Sequence, residues 1–148
     1  MSKPGIPLTR LSIAGDFTTF EYVCCRVASR GTPAIILTVY RPGSTPVSDA
    51  FFRQFEVMIE RLALMSGVIA ITGDINIRLD RPTDPHCVQF NELLDSFGLQ
   101  QLVVQPTHRL GGILDVVITQ GGFTGQIPEV RDVGPSDHSC ILWLLNVS

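Results

Sequence analysis

Val68-Ile69-Ala70-Ile71 is an unbroken apolar run that stops at Gly73, the pattern of a short strand buried on both faces. Upstream, residues 20–28 and 34–40 are two β-rich runs separated by Ser29-Arg30-Gly31-Thr32-Pro33, a turn-forming cluster, and they predict a hairpin. The segment Arg41-Pro42-Gly43-Ser44-Thr45-Pro46 breaks this pattern. After it, Ser48 is a candidate N-cap, and Phe51, Phe52, Phe55, Met58, Ile59 and Leu62 recur at spacings of three and four. That spacing predicts an amphipathic helix to about Met65, with its apolar stripe laid on a sheet. A polar loop with Pro82 and Pro85 leads to a second predicted helix over 88–97, closed by Gly98 where a left-handed cap is needed. Strands are predicted over 99–104, 113–119, 129–133 and 140–145, punctuated by Pro106, Gly111-Gly112, Gly121-Gly122 and Gly134-Pro135. The alternation of strands and helices marks an α/β layer. Residues 1–19 lack such patterning and are expected to form a loose N-terminal arm, leaving 20–148 as the folded unit.

Composition narrows this picture. At 148 residues, 45% hydrophobic and 17% charged, the chain can bury one sizeable core and is too short for two ordinary domains. A net charge of −3 and a pI near 5.5 argue against a broad basic surface for nucleic acid, so any phosphate contact has to be local. Ten of the eleven basic residues are arginine, and Arg41, Arg78, Arg81 and Arg109 stand beside the polar motifs, where a planar fork can take a phosphate bidentately. Cys24, Cys25, Cys87 and Cys140 form no CxxC pair and have no ligand spacing with histidine, which fits reduced thiols in an intracellular chain. Neither a signal-peptide pattern nor a membrane-length apolar run is present, so secretion and membrane insertion are not expected.

The polar residues at strand ends carry the candidate chemistry. Asp74 and Asn76 follow the buried run and, two residues apart, share a face. Asp115 interrupts the apolar segment Leu114-Asp115-Val116-Val117-Ile118, where a buried acid needs a partner. Ser136-Asp137-His138 precedes the last strand. Each of these alone is no more than a turn sequence. Together they supply what phosphodiester hydrolysis needs: carboxylates for a divalent cation, donors for the phosphate, and a group that moves a proton. Asp74 and Asp137 provide charge, Asn76 an amide donor, and His138 an imidazole whose tautomer Asp115 would fix. His86 and His108 read as polar loop residues, and Trp143 as core.

As a set, these segments resemble the endonuclease/exonuclease/phosphatase superfamily, the DNase I-like enzymes. Val39-Tyr40-Arg41-Pro42 resembles its Tyr-x-Pro segment, Thr72-Gly73-Asp74-Ile75-Asn76 its Gly-Asp-Phe-Asn, Leu114-Asp115 the aspartate that orients the catalytic histidine, and Ser136-Asp137-His138 the terminal signature. Tyr40-Arg41-Pro42, Gln105-Pro106-Thr107-His108-Arg109 and residues 113–119 are most similar to the endonuclease domain of non-LTR retrotransposon reverse transcriptases. The resemblance implies a four-layer α/β sandwich, two mixed sheets flanked by helices, and a Mg²⁺-dependent (or Mn²⁺-dependent) endonuclease acting on DNA. It implies Tyr40, Asp74, Asn76, Asp115 and His138 as catalytic residues, Asp137 and Asp74 as metal ligands, and Arg41, Arg78 and Arg109 as phosphate contacts.

Complete members also carry an N-terminal asparagine and a metal-binding glutamate on a βαβ unit, and Glu21, Glu56, Glu60 and Glu92 do not match that position. The expectation is therefore an N-terminally truncated domain of retroelement origin with impaired cleavage. The alternatives are a non-catalytic remnant that binds a partner or nucleic acid, and a phosphatase acting on inositol phosphates or lipids.

Overall fold

The computed structural model describes residues 7–28, 31–108, 111–120, 128–131 and 137–142. Among the described residues, eight strands and two helices run in the order β1 (Leu8–Leu11), β2 (Glu21–Val27), β3 (Ala34–Tyr40), α1 (Asp49–Ala63), β4 (Val68–Asp74), α2 (Pro85–Ser96), β5 (Leu99–Gln101), β6 (Asp115–Gln120), β7 (Glu129–Arg131) and β8 (Cys140–Leu142). The first six strands form one mixed sheet in the order β1-β2-β3-β4-β6-β5, and β7 and β8 form a separate antiparallel pair. Only β3 and β4 are parallel, because α1 lies between them and returns the chain to the same sheet end; every other pair in the large sheet is antiparallel.

The helix α1 forms as its spacing predicts. The Ser48 side chain accepts from the Phe51 amide at 3.3 Å, and Phe51, Phe52, Phe55, Met58, Ile59 and Leu62 are all buried. They pack with Phe90 and Leu94 of α2 and with Ile35, Leu37, Ile71, Val116 and Ile118 of the sheet as one core. Phe55 stacks between Phe51 and Phe90, with ring centroids 5.5 and 5.6 Å away. On the opposite face, Val117 joins Leu102, Val103 and Ile113, against which Val130 of β7 and Ile141 of β8 pack. Alternation along β6 thus sends Val116 and Ile118 to the helices and Val117 to the small sheet. The layers among the described residues are helices, six-stranded sheet and two-stranded sheet.

Several boundaries differ from expectation, among them the strand expected over 113–119, which is β6 and begins at Asp115. Residues 8–11, placed in a loose arm by their weak patterning, form the edge strand β1, in register with residues 24–27 of β2, and Ile13 reaches the core. The second helix starts at Pro85, not at residue 88: Asp84 caps the His86 amide at 2.9 Å, and proline fits a first turn whose N–H has no helical partner. The strand expected over 99–104 stops at Gln101, whose side chain accepts from the Val103 amide at 2.6 Å and takes it out of the ladder. Residues 132–133 and 143–145, expected to extend the last two strands, and Trp143 with them, lie outside the described residues.

The strand register brings polar residues to one end of the sheet. Glu21 pairs with Tyr40, Tyr40 with Asp74, and Asp74 with Asp115, so the four positions line up across β2, β3, β4 and β6.

Candidate active site

Asp74 ends β4 because the chain turns sharply around it. Gly73 has φ +124°, a conformation closed to most side chains, and a Cβ there would land on the Val39 carbonyl oxygen of β3. One carboxylate oxygen of Asp74 then accepts from the Asn76 amide at 3.0 Å, and Asn76 takes the left-handed conformation, φ +50°, that asparagine tolerates. The Asn76 side-chain amide donates to the Arg41 carbonyl at 2.7 Å and also hydrogen-bonds the Asp74 carboxylate.

Arg41, expected as a phosphate contact, turns inward. It is 4% exposed, and its guanidinium donates to the carbonyls of Ile75 (2.7 Å), Asn76 (2.8 Å), Thr45 (2.6 Å) and Pro42 (3.3 Å), with Phe51 beneath it at 5.8 Å. A fork spent on backbone carbonyls holds the Asp74–Asn76 turn against the loop after β3 and faces inward. Arg78 is likewise engaged, in a bidentate pair with Asp80 at 2.9 and 2.6 Å. Asp80 also accepts from the Ile113 amide at 3.1 Å, so this pair ties the loop after β4 to the approach of β6. The Arg78 fork, ahead of the opposing effect of burial, holds the Asp80 carboxyl well below the usual carboxylate range. Arg109 lies outside the described residues.

The geometric centre of the site is His138. Its Nδ1 lies 2.8 Å from Asp115 Oδ2, and its Nε2 lies 3.4 Å from Asp74 Oδ2. A carboxylate facing each ring nitrogen favours a proton there, and the short contact at Nδ1 fixes the ring's orientation. Burial pulls the His138 pKa down, but the hydrogen bond and charge of Asp115, with the charges of Asp74 and Asp137, outweigh it and raise the pKa above the ordinary imidazole value. Asp74 is pushed up, first by burial and then by the charge of Asp115, against the opposing pull of His138 and the Asn76 hydrogen bonds. Two carboxylates are thus held side by side with one imidazole between them.

One ligand atom from each of Asp74, Asp115 and His138 lies within 4.8 Å of the others, close enough to share a divalent cation. Two carboxylates suit Mg²⁺ or Mn²⁺, and the imidazole nitrogen suits Mn²⁺ better than Mg²⁺. Asp137, expected as a ligand, is exposed and stands outside this group, although its charge reaches His138. Tyr40 is beside Asp74 in register and 46% exposed. Of the glutamates, the register puts Glu21 at this sheet end, two strands, roughly 10 Å, from Asp74.

Sequence reasoning missed one neighbour. His108 pairs with His138 in an isolated antiparallel bridge, and the two rings meet edge to face with centroids 5.0 Å apart. Its only signal in the sequence was its place within Gln105-Pro106-Thr107-His108-Arg109.

Among solved structures, the chain is similar to the endonuclease domain of TRAS1, a telomere-specific non-LTR retrotransposon, with a TM-score of 0.67 at 18% identity. The match covers 80% of this chain and 58% of that one, so the chain spans less than two thirds of its length. The likeness shows the fold, the DNase I-like α/β architecture. No protein-family model and no curated protein matches the sequence.

Proposed function

We propose that this chain is a divalent-metal-dependent, phosphodiester-cleaving endonuclease-like domain of retroelement origin that acts on DNA. The observation that carries the reading is the Asp115–His138–Asp74 arrangement, 2.8 and 3.4 Å across one imidazole, at the end of a DNase I-like sheet. Asp115 orients the His138 ring and, with Asp74 and Asp137, raises its pKa, so the protonated ring opposes negative charge that develops on a phosphate, and a cation would be held by the carboxylates rather than by the imidazole. Asp74, with its raised pKa, suits removal of a proton from the attacking water. The Tyr40 hydroxyl, on an exposed side chain, serves as a donor to the phosphate oxygens, and the Asn76 side-chain amide would join it by turning from Asp74 to the phosphate. A bound Mg²⁺ or Mn²⁺ would neutralise phosphate charge and acidify its water. No glutamate occupies the place that the family resemblance gives the metal ligand, so cleavage is expected to be slow.

Purified chain incubated with supercoiled plasmid and Mg²⁺ or Mn²⁺ tests this. The expected result is slow nicking that EDTA, Asp74→Ala and His138→Ala each abolish. Nicking that survives His138→Ala would remove the dyad from the mechanism. The second reading, a non-catalytic remnant, is favoured by the donor set itself, in which Glu21 stands two strands away from Asp74. It would be adopted if neither cation supports nicking.

A further inference from the structure

The Thr107 side chain sits at the junction of the two segments that bear the dyad. We propose that Thr107 is a positioning residue that sets Asp115 against His138, an inference that rests on reading this dyad as catalytic. Thr107 is 0% exposed. Its hydroxyl oxygen accepts from the backbone amides of Leu114 at 3.1 Å and Asp115 at 3.2 Å, so one side-chain atom fixes the first residue of β6. Its carbonyl accepts from the Ser139 amide at 2.7 Å, and the next residue, His108, bridges His138. Its own amide donates to Gly112 at 3.0 Å and closes the turn that leads to β6.

Asp115 and His138 are 23 residues apart and lie in different sheets or their approaches, so neither strand ladder sets their spacing. Thr107 grips both. Its hydroxyl holds the main chain at the aspartate, and its carbonyl holds the main chain one residue past the histidine. An acceptor is needed there because two part-buried amides converge on it, and a methyl in its place removes the side-chain partner they share. The 2.8 Å contact between Nδ1 and Oδ2 depends on the relative placement of two backbones, and a shift on the order of 1 Å in such a contact is enough to cut a rate steeply.

The test compares Thr107→Val, which keeps the shape and removes the acceptor, with Thr107→Ser, which keeps the acceptor. The first readout, independent of activity, is the downfield Nδ1–H proton resonance of His138 in the metal-free 148-residue chain. It should be present in wild type and Thr107→Ser and lost in folded Thr107→Val. The second is plasmid nicking, which should fall about tenfold or more in Thr107→Val, with DNA affinity unchanged, and return in Thr107→Ser. A folded Thr107→Val that keeps the resonance, or a Thr107→Ser that loses it, overturns the proposal. If Thr107→Val does not fold, Thr107→Ala, which leaves room for a water, takes its place under the same criteria. If wild type nicks no DNA, the catalytic reading fails, and the resonance alone still decides whether Thr107 sets the dyad.

Discussion

Arg41 shows how a single side chain can be both buried and charged without destabilising the fold. Its guanidinium meets four carbonyl oxygens, and removing it would strand the carbonyls of Ile75, Asn76 and Thr45. Arg41→Ala is expected to cost about 3 kcal/mol or more by urea denaturation, and Arg41→Lys nearly as much, because a point charge cannot reach carbonyls in a planar fork. A loss under about 1 kcal/mol for either would mean that water replaces the fork. Asp80 gives a pH-dependent prediction. Its folded pKa lies below the ordinary carboxylate value, so its contribution is present above that value and is lost as pH falls through the folded one. Asp80→Asn should therefore lower the urea midpoint by a constant amount from pH 5 to 8, and its difference from wild type should shrink below about pH 4. The effect should be small, because Arg78 is a third exposed and solvent screens the pair.

At the scale of elements, β4 decides the site. Its apolar residues bury it between β3 and β6, and Gly73 then lets the chain pass beside Val39 before the turn at Asp74. Gly73→Ala combines a conformation closed to alanine with a collision against backbone, which cannot move aside without breaking the parallel ladder. It is expected to cost several kcal/mol and to leave little folded protein at 37 °C by circular dichroism. By contrast, Gly98→Ala, at the cap of α2 with φ +66° and open space around it, should cost about 1 kcal/mol. Equal losses at the two sites would show that conformation alone, and not the contact with Val39, governs Gly73. The rest of the element pattern was legible because α1 and the central strands have their apolar residues at the period of their own structure. β1 was not, since an edge strand with three exposed residues out of four shows no apolar run.

For the whole molecule, the placement of Asp74, Asp115 and His138 couples metal binding to stability. Two carboxylates crowded together repel, and a cation that relieves them binds only the folded chain. Mn²⁺ at a concentration about 100 times its Kd should stabilise the fold by about 2.7 kcal/mol, visible as a higher Tm, and Asp74→Asn should abolish that shift. An unchanged Tm at millimolar Mn²⁺ would remove the cation from this site. On the sheet's outer rim, Leu8 is 64% exposed on the edge strand and Val23 half exposed on its neighbour, so aggregation through this edge is the expected failure in concentrated solution.

By itself the sequence determined the α/β class, the helix α1 with its buried face, the hairpin β2–β3, and which polar residues stand at strand ends, because periodicity and turn chemistry are local. The pairing of Asp115 with His138 was expected from the motifs and is met at 2.8 Å, whereas the approach of Asp74 to His138, the inward turn of Arg41, the pairing of Arg78 with Asp80, and the junction at Thr107 were decided only by tertiary structure. Each depends on how strands from distant parts of the chain register against one another, and no local pattern encodes which donor will find which acceptor once the backbone is packed.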